Sequence, residues 1–168
     1  MYKRIMIFGR PGSGKSTFAN ELSNEAQLPV FHLDKYFFMS NWQERDYNEF
    51  MKIQEELVSK DKWIIDGNST KSLETRWAHA NLIMYFNYGK LRCLFRLIKR
   101  LFNKSKYIDD RPDECREILR FQLIKYMWTF EKRVNNIILI LKEKYPYVKF
   151  IEINSNKESN DMKKIISY

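Results

Sequence analysis

Short apolar runs alternate along this chain with longer stretches whose apolar residues recur every three or four positions. "YKRIMIF" (2–8), "PVFHL" (29–33), "WIID" (63–66), "LIMYF" (82–86) and "YVKFIEI" (147–153) have the length and continuity of buried strands. Between them, Ser16 to Ala26, Tyr47 to Ser59, Lys90 to about Asn103, and Asp113 to about Lys142 are patterned as helices, and residues 158–167 form a last short one. In the third stretch from the end, the helix has a basic character all round, from Lys90, Arg92, Arg96, Lys99 and Arg100. Along the long helix, Ile118, Phe121, Ile124, Trp128, Ile137, Ile138 and Leu141 are expected to mark most of the buried side. Polar "NKSKYIDDRPD" (103–113) reads as a loop. Strands and helices alternating in this way predict an α/β class, a five-stranded parallel sheet covered on both faces. There is no repeat, low-complexity tract or flexible linker, and 168 residues suit one domain.

Composition narrows the setting. No apolar run approaches the ~20 residues a bilayer span needs, and Ile5 to Phe8 is too short for a signal-peptide core. Cys93 and Cys115 make no metal or redox spacing, and two thiols build no disulfide framework, so a cytoplasmic protein with no membrane partner is expected. Charge is unevenly placed: residues 90–149 hold 16 Lys/Arg against 7 Asp/Glu, a surplus equal to the whole chain's +9. Such a bias attracts anions, either the phosphates of a nucleotide or a nucleic-acid backbone.

The first turn of the chain supplies the chemistry. "GRPGSGKST" (9–17) contains Gly9, Gly14, Lys15 and Ser16 in the order G-x-x-x-x-G-K-[ST], between an expected strand and an expected helix. Glycines let backbone N–H groups converge on phosphates, and the helix that follows points its positive end at the same charge. Gly9, Pro11, Gly12, Ser13, Gly14, Lys15, Ser16 and Thr17 are therefore the expected nucleotide cradle. Lys15 reaches the β/γ-phosphates, and the Ser16 hydroxyl is a Mg²⁺ ligand.

Two carboxylates end strands where this class of sheet builds its site. Asp66 closes "WIID" and Asp34 closes "VFHLD"; either suits Mg²⁺ held through water, and Asp34 alternatively accepts a proton from an attacking hydroxyl. His32 and His79 read as structural. The aromatic residues Tyr36, Phe37, Phe38 and Trp42 suit either an acceptor pocket or a cap on the core. A GTPase is excluded, because the chain has no N-K-x-D and no D-x-x-G after a strand.

"RIMIFGRPGSGKST", "PVFHLD", "QEELVSKDKWIIDGN" and "WTFEKRV" together resemble the small bacterial adenylate-kinase-related proteins labelled DNA topology modulation, or FlaR-like, over about residues 3–153. That resemblance implies a P-loop kinase fold and ATP binding. A more distant likeness to nucleoside monophosphate kinases implies acceptor-side roles for Asp66, Gly67, Asn68 and Arg76 in "IDGNSTKSLETR". It also implies phosphate-facing roles for Arg96 and Arg100, one helical turn apart, and a lid over 103–113 carrying Arg111. Arg133 in "EKRV" is a weaker candidate. Those kinases mostly end strand four in Asp, whereas this chain has Asn87, which leaves Asp66 as the metal-side acid.

The expected function is an ATP- and Mg²⁺-dependent phosphotransferase with a small acceptor, a nucleotide or nucleoside. Lys15, Asp34, Arg96, Arg100 and Arg111 would be catalytic, Asp34, Asp66, Gly67, Asn68 and Arg76 would face the acceptor, and Ser16 and Asp66 would hold the metal. A phosphate acceptor needs arginines; a hydroxyl acceptor makes Asp34 useful. The alternative is an ATP-binding protein associated with nucleic acid, drawing on the basic stretch around Tyr107, Phe121, Tyr126 and Trp128.

Overall fold

Strand β1 (Arg4–Gly9) is apolar on both faces and takes the middle of a sheet, with β3 (Trp63–Asp66) on one side and β4 (Leu82–Phe86) on the other. The remaining strands, β2 (Val30–His32) and β5 (Lys149–Ile153), complete the order β2-β3-β1-β4-β5, every pair parallel. The computed structural model describes residues 2–102 and 121–167. Its helices are α1 (Lys15–Ala26), α2 (Leu33–Phe37), α3 (Tyr47–Val58), α4 (Leu73–His79), α5 (Lys90–Phe102), α6 (Phe121–Lys144) and α7 (Asn156–Ser167).

Strand alternation sends successive side chains into two separate apolar layers. Ile5, Ile7, Ile64, Met84 and Phe86 meet Phe18 and Leu22 of α1, Leu97 of α5 and Ile166 of α7. Met6, Phe8, Ile65, Ile83 and Tyr85 meet Phe50 of α3, Trp77 of α4, and Phe130 and Val134 of α6. The chain crosses β1 between β3 and β4, so the C-terminal ends of these three strands border the crevice where sheets of this kind bind ligands.

The sequence pattern misses α2 and α4, which at 5 and 7 residues are too short for a helical period to register. It also misplaces part of the buried side of α6. Met127, Phe130, Val134, Ile138 and Leu141 face the sheet, while Phe121 and Trp128 stand exposed to one side of that seam. The reason is phase: the first four buried residues recur at spacings of 3 and 4, a seam that Phe121 and Trp128, seven apart, do not share.

Phe8 is wholly buried at the sheet centre and stacks on Tyr85, with ring centroids 4.9 Å apart. Phe8→Ala is expected to cost about 3–5 kcal/mol. Urea unfolding checks this: the midpoint falls while the slope stays constant. A loss below about 1 kcal/mol would show that the two layers do not depend on this contact.

Candidate functional site

The phosphate loop bridges the end of β1 and the start of α1. Gly12 (φ 81°) and Gly14 (φ 90°) both adopt left-handed backbone that a side chain resists. At Gly12 space forbids one as well, because a Cβ would stand 2.5 Å from the carbonyl oxygen of Cys93 on α5. Helix α1 opens on Gly14 with no side-chain cap and no acid in its first turn. Its opening amides and positive dipole end are thus set toward an anion at the loop. Pro11 and Ser13 are buried in the turn, and Thr17 is exposed. The Ser13 amide donates to the Arg10 carbonyl (3.1 Å).

Parallel pairing fixes what stands next to that loop. Asp66 is in register with Ile7 of β1 and with His32 of β2, and the Gly67 amide donates to the Ile7 carbonyl (3.1 Å). The Asp66 side chain is 3% exposed. Burial alone would raise its carboxyl, but the Lys15 ammonium, the His32 hydrogen bond and charge, and the Ser16 hydroxyl outweigh that and hold it below the usual carboxylate range. His32 Nδ1 lies 3.0 Å from Asp66 Oδ2, and an ionised carboxylate only accepts, so Nδ1 carries the proton. His32 Nε2 faces Asn20 Oδ1 on α1 at 3.1 Å. His32 is thus structural, as its sequence setting suggests, yet its structural task is to orient the site's acid.

The acceptor-side stretch after β3 is tied into the loop rather than left open. Asn68 Oδ1 accepts from the Gly9 amide (3.0 Å), and the Asn68 carbonyl accepts from the Tyr126 hydroxyl (3.2 Å). Arg76 is wholly buried, donating through Nη1 to the Gly67 carbonyl (3.0 Å) and through Nη2 to the Ser69 carbonyl (2.6 Å). Burial pushes it down to about 10, with the Asp66 charge opposing, so it stays a cation. Its fork organises the 67–69 turn instead of presenting itself to solvent.

Arg10 is a residue that sequence reasoning passed over, because a charged side chain in a loop reads as solvated. It is buried, with Nη1 donating to the Tyr88 carbonyl (2.6 Å) and Nη2 to Glu131 Oε2 of α6 (3.0 Å) and Asn87 Oδ1 (3.3 Å). Asn87 in turn donates through Nδ2 to Glu152 Oε1 (2.9 Å). An aspartate there would set a third carboxylate beside Glu131 and Glu152, whereas the amide accepts from Arg10 and donates to Glu152.

Arg96 on α5 donates to the Ser13 carbonyl of the loop (2.6 Å) and to Asn156 Oδ1 (2.8 Å), so α5 and the start of α7 both close on the phosphate loop. Arg100 is exposed one turn further along the same helix. Arg111 and the lid expected over 103–113 lie outside the described residues. Asp34 is exposed in the first turn of α2, just past β2. Its charge reaches Tyr126 of α6, whose hydroxyl burial and Asp34 together push up to about 12. Arg133 stacks over the Tyr126 ring at 5.6 Å. The aromatics Phe37, Phe38 and Trp42 pack edge to face in series, Phe37 also against core Phe50, so this group caps the core.

The residues fit a magnesium ion. Asp66 Oδ1 is buried and has no hydrogen-bond partner among the described residues, and the Ser16 hydroxyl lies beside the same carboxylate. One carboxylate and one hydroxyl are hard oxygen donors of the kind Mg²⁺ takes, with nucleotide phosphates completing the set. Among the described residues no group of three or more acidic, histidine or cysteine side chains could hold a metal without such phosphates.

This arrangement defines an α/β protein of the P-loop kinase fold. Residues 5–66, from β1 through the loop to Asp66, match the family described as AAA, the ATPase family associated with various cellular activities. Among solved structures, the chain is similar to shikimate kinase from Bacteroides thetaiotaomicron, with a TM-score of 0.58 at 13% identity, covering 99% of this chain and 96% of that one. It is also similar to shikimate kinase from Acinetobacter baumannii in complex with shikimate, with a TM-score of 0.59 at 12% identity, covering 98% and 90%. No curated protein matches the chain. Both kinases have the same all-parallel α/β fold.

Asp66 supplies a pH test. Its carboxyl is held below the unfolded value of about 3.9, so its contribution to stability is complete above that pH and is lost as pH falls through the lower folded-state value. Asp66→Asn is expected to flatten the acid limb of stability against pH, by up to ~1.4 kcal/mol per pH unit over that window. Urea titrations between about pH 2 and 6 measure it. An unchanged slope would show that the carboxylate is not held ionised by Lys15 and His32.

Proposed function

We propose that this chain is an ATP-dependent phosphotransferase that moves the γ-phosphoryl group to a hydroxyl of a small acceptor, in the nucleotide or nucleoside class. The observation that carries the reading is the buried Asp66 carboxylate held beside Lys15 and Ser16 by strand register, with exposed Asp34 one strand away at the same sheet edge. The chain acts as one P-loop kinase-like domain whose acceptor side spans about residues 35–60. Its resemblance to the FlaR-like, adenylate-kinase-related proteins supports the same reading.

In this reading the loop amides and Lys15 bind the β- and γ-phosphates, and Ser16 and Asp66 would hold Mg²⁺, which would neutralise phosphate charge there. Asp34 takes the proton of the acceptor hydroxyl as its oxygen bonds to the γ-phosphorus, and the bond from that phosphorus to the β–γ bridging oxygen breaks to release ADP. Arg100 meets charge on the transferring group, while Arg96, one turn earlier on α5, holds the loop in position through the Ser13 carbonyl. A hydroxyl acceptor is favoured over a phosphate because Arg76, the arginine expected to grip an acceptor phosphate, is already committed to two carbonyls.

Incubation with Mg·ATP and a panel of nucleosides, nucleotides and sugars tests this through acceptor-dependent ADP release. Turnover is expected to vanish in Lys15→Ala. Asp34→Asn is expected to lower kcat by roughly 10²–10⁴-fold. A near-normal Asp34→Asn rate, or stimulation by nucleoside monophosphates with products phosphorylated on phosphate, would remove the hydroxyl assignment. Duplex binding that salt weakens, with no acceptor stimulating turnover, would instead favour a nucleic-acid role.

A further inference from the structure

Helix α5 is not basic all round, as its sequence suggests. Four of its five cations, Arg92, Arg96, Lys99 and Arg100, gather on one arc and Lys90 stands apart, while Cys93 and Leu97 are buried against the sheet. On the remaining arc Leu91, Phe95 and Ile98 recur at i, i+4 and i+7 and face solvent, Leu91 at 73% and Phe95 at 67% exposure. Helix α6 packs beside α5 and carries two further exposed apolar residues, Phe121 at 79% exposure and Trp128, whose ring lies under the Lys90 ammonium at 5.7 Å. Exposed apolar side chains gathered on one arc of a folded surface mark an interaction site.

The charge around the strip says what kind. Lys90 and Arg92 flank Leu91 in the chain, Lys99 follows Ile98, and residues 90–102 contain no acid. A second copy of the chain would bring two such cationic rims together and be repelled. Nucleic-acid phosphates would meet the cations but leave Leu91, Phe95 and Ile98 in water. An anionic lipid surface satisfies both, taking apolar side chains below the headgroups and cations among them, with a tryptophan at the boundary. No helix among the described residues is long and apolar enough to cross a membrane, and α5, 13 residues long, suits lying in the plane of the interface.

We infer that the solvent-facing side of α5, joined by Phe121 and Trp128 of α6, is an adsorption surface for anionic lipid. Arg96, on a different side of α5, keeps its contact with the phosphate loop, so adsorption leaves the nucleotide crevice open to solvent.

Co-sedimentation of the full chain with vesicles tests the inference without reading any catalytic activity. In about 0.1 M salt, binding is expected to vesicles containing phosphatidylserine and not to phosphatidylcholine alone. It should weaken roughly tenfold or more in Leu91→Ser/Phe95→Ser, and likewise in Arg92→Glu/Lys99→Glu, a pair that keeps the apolar strip intact. Leu139→Ser/Ile140→Ser, altering exposed apolar residues elsewhere on α6, should bind as wild type. Thermal melts establish that each variant is folded, and if the apolar pair melts early the charge pair decides. Failure to bind phosphatidylserine vesicles, equal binding to both vesicle types, binding indifferent to the α5 variants, or binding to duplex DNA while vesicles are ignored would each overturn it.

Discussion

A carboxylate withdrawn from water beside a phosphate loop is the constraint on which this molecule is organised. Asp66 can stay ionised at that depth only because Lys15, His32 and Ser16 surround it, and these come from two other elements. Lys15 and Ser16 open α1, His32 ends β2, and Asp66 ends β3, so the site exists only when β1, β3 and β2 pair in their observed register. A one-residue slip of β3 would turn the acid to the opposite face of the sheet.

The loop itself is pinned from three directions. Asn68 holds the Gly9 amide, Arg96 holds the Ser13 carbonyl, and Arg10 anchors the loop to the end of β4 and to Glu131 of α6. Such ties hold phosphate-facing amides in place before a ligand arrives, which is how preorganised dipoles gain their effect on developing charge. Arg10 and Arg76 are both buried cations satisfied mainly by carbonyls and carboxylates, so they act as struts.

The phosphate loop was legible because its chemistry demands a fixed run of residues at fixed spacing. Asp66 was legible because an acid ending a strand falls at the sheet edge where ligands bind, whereas Asp34, expected to close β2, lies in the first turn of α2 just past it. The bond from His32 to Asp66 was not, since it depends on the β2–β3 register, which a single strand does not encode. The burial of Arg10 and Arg76 was not legible either, because it rests on carbonyls supplied by other segments, Tyr88 for Arg10 and Gly67 and Ser69 for Arg76. On α5 the abundance of cations masked the apolar arc, and on α6 several apolar residues off the seam blurred its phase.

The central claim is that these amides, with Asp66 and Ser16, receive a magnesium-bound nucleotide. Calorimetric titration of ATP into the protein, with magnesium and again with the metal chelated, tests it most directly. The account predicts saturable one-site binding that is tighter when magnesium is present. Absence of saturable heat with magnesium, or identical affinity in both titrations, would contradict it.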